Sequence, residues 1–173
     1  MFWVAPSSAL VRLGEGNPMS LVGLRIVREE GLELPRELYE QMVSHALRGY
    51  PNEACGAVAG LDGKAVRVYP MANAEESPVV YRFDEREQLR VFDEIEEQGW
   101  ELLAFFHSHT HSEAYPSPTD LAQAHWRDPL TGEQVAAYPG TWYLILSLRD
   151  DEPVLRGFRF EGGAPVEEEV KIT

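Results

Sequence analysis

The chain has 173 residues, 44% of them apolar, and a formal net charge of −14. That size and composition suit one globular domain with a sizeable core, and no apolar run approaches the roughly 20 residues that span a bilayer. The acidic balance argues against nucleic acid and anionic membranes as partners, because phosphate binding needs clustered Lys and Arg.

Cys55 is the one cysteine, so no internal disulfide is available and the cytoplasm is the expected compartment. Met1 to Pro6 has no basic region and makes a poor signal peptide. A second methionine, Met19, precedes Ser-Leu-Val-Gly-Leu. Residues 1–18 are therefore expected to be a flexible extension, or to lie upstream of the true start, and residues 19–173 a single domain.

In chain order, Leu24 to Val27 reads as a first strand. Pro35 suits the first turn of a helix running to about Leu47, with Leu38, Met42 and Ala46 along one face. Gly49-Tyr50-Pro51-Asn52 breaks it. Cys55 to Leu61 reads as a strand, Asp62-Gly63 as a hairpin turn and Lys64 to Tyr69 as the returning strand. Asp84 caps a second helix with an Asp-x-x-Glu pattern to Glu87 and an apolar face of Leu89, Phe92 and Ile95; Gly99 ends it. The apolar run Leu102 to Phe106 is a buried strand. A short helix is expected after Asp120, to about His125, and mostly loop over 126–140. Trp142 to Leu148 and Val154 to Phe160 are two further strands, and Val166 to Ile172 a last edge strand. The expected class is α+β, with helices layered on a sheet.

The stretch from His107 to Asp120 carries the chemistry. His107 and His109 stand two apart at the end of the apolar strand, so both imidazoles point to one face and can share a cation. Asp120, eleven residues after His109, offers a carboxylate as third ligand. Two nitrogens and one oxygen leave a tetrahedral zinc with one open position, the mark of a catalytic site. Bound zinc lowers the pKa of its water to about 7 and acts as a Lewis acid; amide hydrolysis also needs a carboxylate to move protons and a donor for the oxyanion. Ser117 supplies a hydroxyl three residues before Asp120, and Glu53, at a loop-to-strand junction, is a plausible base. Spacing alone does not bring Glu53 to the site, since it lies 54 residues upstream of His107.

The pattern His107-Ser-His109, seven residues, Ser117, two residues, Asp120 resembles the metal-binding signature of the JAMM (MPN+, or Mov34-type) metallopeptidases. Asn-Glu53-Ala-Cys55-Gly56 is similar to the catalytic-glutamate segment of that family's bacterial members. The resemblance spans roughly residues 24–160. It implies a curved, mixed β-sheet flanked by helices, an α-β-α arrangement of the cytidine-deaminase-like kind. It implies one zinc per chain on His107, His109 and Asp120, with water as fourth ligand. Glu53 would be the general acid/base, and Ser117 would steady the tetrahedral intermediate.

His-Ser-His-Thr followed by Glu113-Ala-Tyr-Pro-Ser-x-Thr-Asp120 is further similar to the bacterial branch that acts on ubiquitin-like sulfur-carrier proteins. That branch implies release of cysteine, or of an attached tail, from a carrier's C-terminal Gly-Gly, held by β-augmentation in a channel that only glycines pass. It also makes a homodimer a possibility. The stretch from His125 to Gly140 departs from the expected pattern by its length, and is a place for partner choice or oligomer contacts.

Other readings of the same residues stand beside this one. A non-catalytic scaffold of the same fold would bind a partner at its sheet edge. A DNA-repair relative conflicts with the negative charge, and a cell-wall or phage-tail peptidase would want an export signal. His111 extends the alternation and is either a third ligand or a rim residue, the rim being expected. Ser117 is also a good helix N-cap, a role that competes for its hydroxyl. Cys55 is expected to be a small buried residue rather than a nucleophile. His45 and His125 are expected to be structural or exposed.

Overall fold

The computed structural model describes residues 31–161 and 164–173. The expected extension 1–18 and the expected strand at 24–27 lie outside the described residues. The elements run β1 (Leu32–Leu34), α1 (Arg36–Gly49), β2 (Cys55–Leu61), β3 (Lys64–Met71), α2 (Glu85–Glu97), β4 (Glu101–His109), α3 (Pro118–Gln123), β5 (His125–Arg127), β6 (Gln134–Ala136), β7 (Trp142–Ser147), β8 (Val154–Glu161), β9 (Ala164–Glu168) and β10 (Val170–Ile172).

Six strands form one mixed sheet in the order β3-β2-β4-β7-β8-β9. β4 pairs β7 in parallel, and the other neighbours are antiparallel. β4 is buried from Leu103 to His109 because it is central and covered on both faces, which is why its sequence reads as a nearly unbroken apolar run. Successive side chains divide the core. Phe105 joins Val91, Ile95, Tyr143 and Phe158 on the α2 side. Phe106 joins Leu34, Leu38, Met42 and Trp142 on the α1 side. The molecule is therefore α+β, with helices on both faces of the sheet. No helix of the described residues is long and apolar enough to cross a membrane.

Local signals explain most elements. Pro35, with φ −54°, precedes α1, whose buried stripe is Leu38, Met42 and Ala46. Asp62 and Gly63 take positive φ, 51° and 76°, as a tight β2–β3 turn requires. The Asp84 carboxylate accepts from Arg86 N and Glu87 N at the start of α2. Glu87 does not complete a capping box there: its carboxylate accepts from Ala72 N at 2.8 Å instead.

Four expectations are corrected. Leu89 is exposed, not on the buried face of α2, which is Val91 and Ile95 with Phe92 half-buried. At 3.6 residues per turn Leu89 lies about 160° around the helix from Val91. α3 begins at Pro118, before Asp120, because the cap is Ser117. Residues 125–136 contain a small antiparallel hairpin, β5 with β6, whose three-residue strands are too short to show a period. The expected strand 166–172 is two: β9 edges the main sheet, while β10 turns away to pair in parallel with β1.

Gly56 stands where β2 crosses β4. A Cβ there would collide with the Phe106 ring and the Tyr69 carbonyl oxygen. Gly56→Ala is expected to cost about 1–3 kcal/mol, the range for overpacking a filled core. Thermal melts should fall by roughly 2–4 °C per kcal/mol for a chain of this size.

Candidate metal centre

β4 carries His107 and His109 to the same face, and both are buried. Their Nε2 atoms lie 3.1 Å apart. Asp120 closes the triangle: Oδ1 is 3.4 Å from His107 Nε2 and Oδ2 is 3.3 Å from His109 Nε2. Metal–nitrogen and metal–oxygen bonds of about 2.0–2.2 Å in a tetrahedron put ligand atoms about 3.3–3.6 Å from one another. The two nitrogens and the nearer carboxylate oxygen of each pair lie close to that spacing, and one donor atom from each residue lies within 4.8 Å of the others, so the group suits a small tetrahedral cation with one corner left over. Among the described residues they are the group that can hold a metal.

The donors are oriented from behind. His109 Nδ1 lies 2.8 Å from the Glu113 carbonyl, which only accepts, so Nδ1 carries a proton and Nε2 is the nitrogen turned to the cluster, bonding Asp120 when protonated and offering a lone pair to a cation when neutral. His107 is stacked by the Tyr81 ring, centroids 4.5 Å apart and planes 22° apart. The loop after β4 is tied down by Ser147 Oγ donating to the Ser112 carbonyl at 2.6 Å and Thr110 Oγ1 donating to the Pro78 carbonyl at 3.1 Å.

Ser117 and Asp120 form a capping box. Asp120 Oδ2 accepts from Ser117 N at 2.7 Å, and Ser117 Oγ accepts from Asp120 N at 3.2 Å. The cap uses a lone pair of the hydroxyl and leaves its proton to donate, so capping and catalysis do not compete for the same part of Ser117. Burial works against ionised Asp120, but the bonds from His107, His109 and Ser117 outweigh it and hold the carboxyl far below the usual range. Burial pulls His107 down against Asp120's attraction, while at His109 the bonds to Asp120 and to the Glu113 carbonyl overcome burial and raise it.

Glu53 reaches this place by sheet pairing. In the antiparallel β2–β4 register Cys55 faces His107. The pairing continues past the strand end: Ser108 N donates to the Ala54 carbonyl at 2.8 Å, and Ala54 N donates to Ser108 Oγ at 2.8 Å. Carried one residue on, that register sets Glu53 opposite His109, and side chains of facing residues share a face. Glu53 is 6% exposed. Its backbone is clasped by the loop ahead of α2: Glu53 N donates to the Ser77 carbonyl at 2.8 Å, and Asn73 Nδ2 donates to the Glu53 carbonyl at 3.0 Å.

Burial pushes the Glu53 carboxyl up to about 7; His109 opposes the rise and Asp120 adds to it. A carboxyl raised on folding contributes stability below its unfolded value, and that contribution is lost as pH rises through the folded value. The window here runs from 4.5 to about 7. In metal-free protein, Glu53→Gln should therefore melt progressively higher than wild type as pH goes from 5 to 8. Melting curves in chelator that stay parallel across that range would refute this.

The remaining sequence candidates lie elsewhere. His111 is exposed, with Nδ1 2.7 Å from Thr110 Oγ1 and its ring beside Tyr50, outside the donor cluster. Cys55 is buried, and burial with the nearby Glu87 and Glu53 pushes its thiol up to about 12, which suits packing rather than attack. His45 Nε2 lies 3.2 Å from the carbonyls of Cys55 and Met71, a structural contact. His125 is buried, with Nδ1 bonded to the Leu121 carbonyl. Three contributors escape sequence reasoning: Ser108, Asn73 and Tyr81. Only Ser108 left a trace, as a polar residue inside a buried strand between the two histidines.

A family model described as prokaryotic homologs of the JAB domain matches residues 35–160. A protein of Mycobacterium tuberculosis named CysO-cysteine peptidase is 39% identical over 144 residues, covering 82% of this chain and 90% of that one. A Haloferax volcanii protein named desampylase is 33% identical over 123 residues, covering 67% of this chain and 80% of its own. A solution structure of a Desulfitobacterium hafniense protein superposes with a TM-score of 0.69 at 34% identity, covering 82% of this chain and 92% of that one.

Proposed function

This chain belongs to the family of prokaryotic JAB-domain proteins, and from that premise we propose that it is a zinc-dependent hydrolase of carrier conjugates. The bond cleaved is the amide or isopeptide bond after the C-terminal Gly-Gly of a ubiquitin-like sulfur-carrier protein, and the product is cysteine or a conjugated tail. The reading rests on one observation above all: two imidazoles and a carboxylate gathered within reach of one cation, with the buried Glu53 close enough for His109 and Asp120 to act on its charge. The names of its relatives, CysO-cysteine peptidase and desampylase, favour a carrier conjugate as substrate.

His107, His109 and Asp120 would hold one zinc per chain. Bound there, zinc supplies a water whose pKa falls to about 7 and polarises the scissile carbonyl. The rest of the chemistry belongs to side chains of this chain. Glu53, poised near neutrality, takes a proton from the attacking water and delivers it to the departing nitrogen. The Ser117 O–H, not consumed by the helix cap, donates to the oxyanion as it forms. We assign the protein to the cytoplasm, residues 19–173 to one catalytic domain, and its pairing, if any, to a homodimer.

Incubating the zinc-loaded chain with a carrier–Gly-Gly–cysteine conjugate, with and without chelator, and weighing the products tests the reading. The expected result is the free carrier plus cysteine, abolished by chelator. Zinc bound at one equivalent with every carrier conjugate left intact would instead favour the scaffold reading.

A further inference from the structure

The acid/base assigned above has to be aimed, and no donor holds its carboxylate. Glu53 is buried, yet among the described residues every hydrogen bond it makes runs through its main chain. A carboxylate free of donors can trade a proton with water, but a glutamate side chain turns about several bonds, so main chain and packing set where it points. On one side that main chain is fixed by β4, through the two bonds between Ala54 and Ser108. On the other it is fixed by the loop of residues 74–82, through Glu53 N donating to the Ser77 carbonyl at 2.8 Å.

Packing does little to shape that loop. Of residues 74–82 only Tyr81 is buried, and Val79 is 72% exposed. One side chain shapes it instead. Asn73 Oδ1 accepts from Glu75 N at 3.0 Å and from Arg82 N at 3.1 Å, joining the two ends of the loop. Asn73 Nδ2 donates to the Val80 carbonyl and to the Glu53 carbonyl, both at 3.0 Å, with the Ser77 carbonyl further off at 3.5 Å. Two protons and two lone pairs are the full capacity of a side-chain amide, and here all are engaged. Aspartate would match the length without the donors, and glutamine would carry the donors one carbon too far.

We propose that Asn73 is a positioning residue: by tying both ends of the loop to the Glu53 carbonyl, it fixes the direction in which that carboxylate enters the site. The proposal rests on Glu53 being the acid/base. Asn73 makes no hydrogen bond to His107, His109 or Asp120, so its effect runs through Glu53 rather than through the cation. Misplacing a reacting group by about 1 Å costs on the order of 10²-fold in rate.

The test compares wild type, Asn73→Ala and Asn73→Asp as full zinc-loaded chains, by steady-state kinetics on a carrier–Gly-Gly–cysteine conjugate and by crystal structures. Melting curves and zinc content verify that each variant is folded. The expected kinetic result is kcat lower by about 10–100-fold with KM within about twofold of wild type. In the crystals the Glu53 carboxylate should shift by about 1 Å or spread over several positions, with His107, His109 and Asp120 unmoved. Adding Asn73→Ala to Glu53→Gln should change the residual turnover by less than about threefold, because the group it aims is gone. Folded, zinc-loaded variants with kcat within about threefold of wild type overturn the proposal. So does an equal fractional loss from Asn73→Ala with and without Glu53, or an unmoved Glu53 carboxylate in both variant crystals. If wild type cleaves no conjugate, the assigned activity falls, and the Glu53 position in the variant crystals alone decides this proposal.

Discussion

Glu53→Gln is expected to lower turnover of a carrier–Gly-Gly–cysteine conjugate by about 10²–10⁴-fold, the usual contribution of a positioned acid/base, or roughly 3–5 kcal/mol in the barrier. Glutamine keeps the size of the side chain but can neither take a proton from water nor give one to nitrogen. KM should move little, because Glu53 sits among the donor cluster's neighbours rather than along an extended tail. Zinc content should stay near one per chain, since the three donors are untouched. Steady-state kinetics alongside metal analysis decides the matter. A variant with native zinc and turnover within a few-fold of wild type would remove Glu53 from the chemistry. Wild-type activity should also rise with pH through the titration of Glu53, with zinc's positive charge shifting that midpoint below the metal-free value of about 7.

The second large effect concerns the cation. Asp120→Ala is expected to abolish zinc retention and reduce hydrolysis to background. It removes a ligand and leaves two buried imidazoles facing each other at 3.1 Å. Chelation of wild type should act alike on activity. If zinc is supplied at a thousandfold its dissociation constant, it stabilises the fold by about 4 kcal/mol. Removing it should lower the melting temperature by roughly 8–16 °C at 2–4 °C per kcal/mol. Asp120 also belongs to the capping box of α3, so its variant carries a further loss of roughly 1 kcal/mol unrelated to metal. Ser117→Ala separates the two: it weakens the cap and withdraws the O–H donor, yet it should keep one zinc per chain. Full zinc occupancy in purified Asp120→Ala would show that the carboxylate is not a ligand.

Where a local pattern suffices, the sequence was enough. The two histidines were legible because a strand repeats every two residues, and α1 because Leu38, Met42 and Ala46 recur at helical spacing. The cap at Asp84 and the turn at Asp62-Gly63 were legible because few residue types satisfy those backbone demands. What stayed hidden depends on partners distant in the chain. Leu89 looks apolar enough to be buried, and only the docking angle of α2 shows that Val91 and Ile95 face inward instead. β10 leaves the sheet because β1, at the other end of the described chain, offers it an edge. The union of Glu53 with the histidines was recognisable from the family pattern but not from spacing. It needs the register of β2 on β4, which no single segment states.

That register has a consequence for how the protein tolerates change. The two histidines and Glu53 ride on adjoining rungs of one ladder, with Asp120 brought in separately by α3, so lengthening or trimming the excursion through β3 and α2 need not shift Glu53 against the histidines. A single residue added between Glu53 and Cys55 is another matter: parity reverses, and the carboxyl is delivered to the wrong side of the sheet. Insertional scanning should therefore find permissive ground at Asp62-Gly63 and none in the few residues leading into β2.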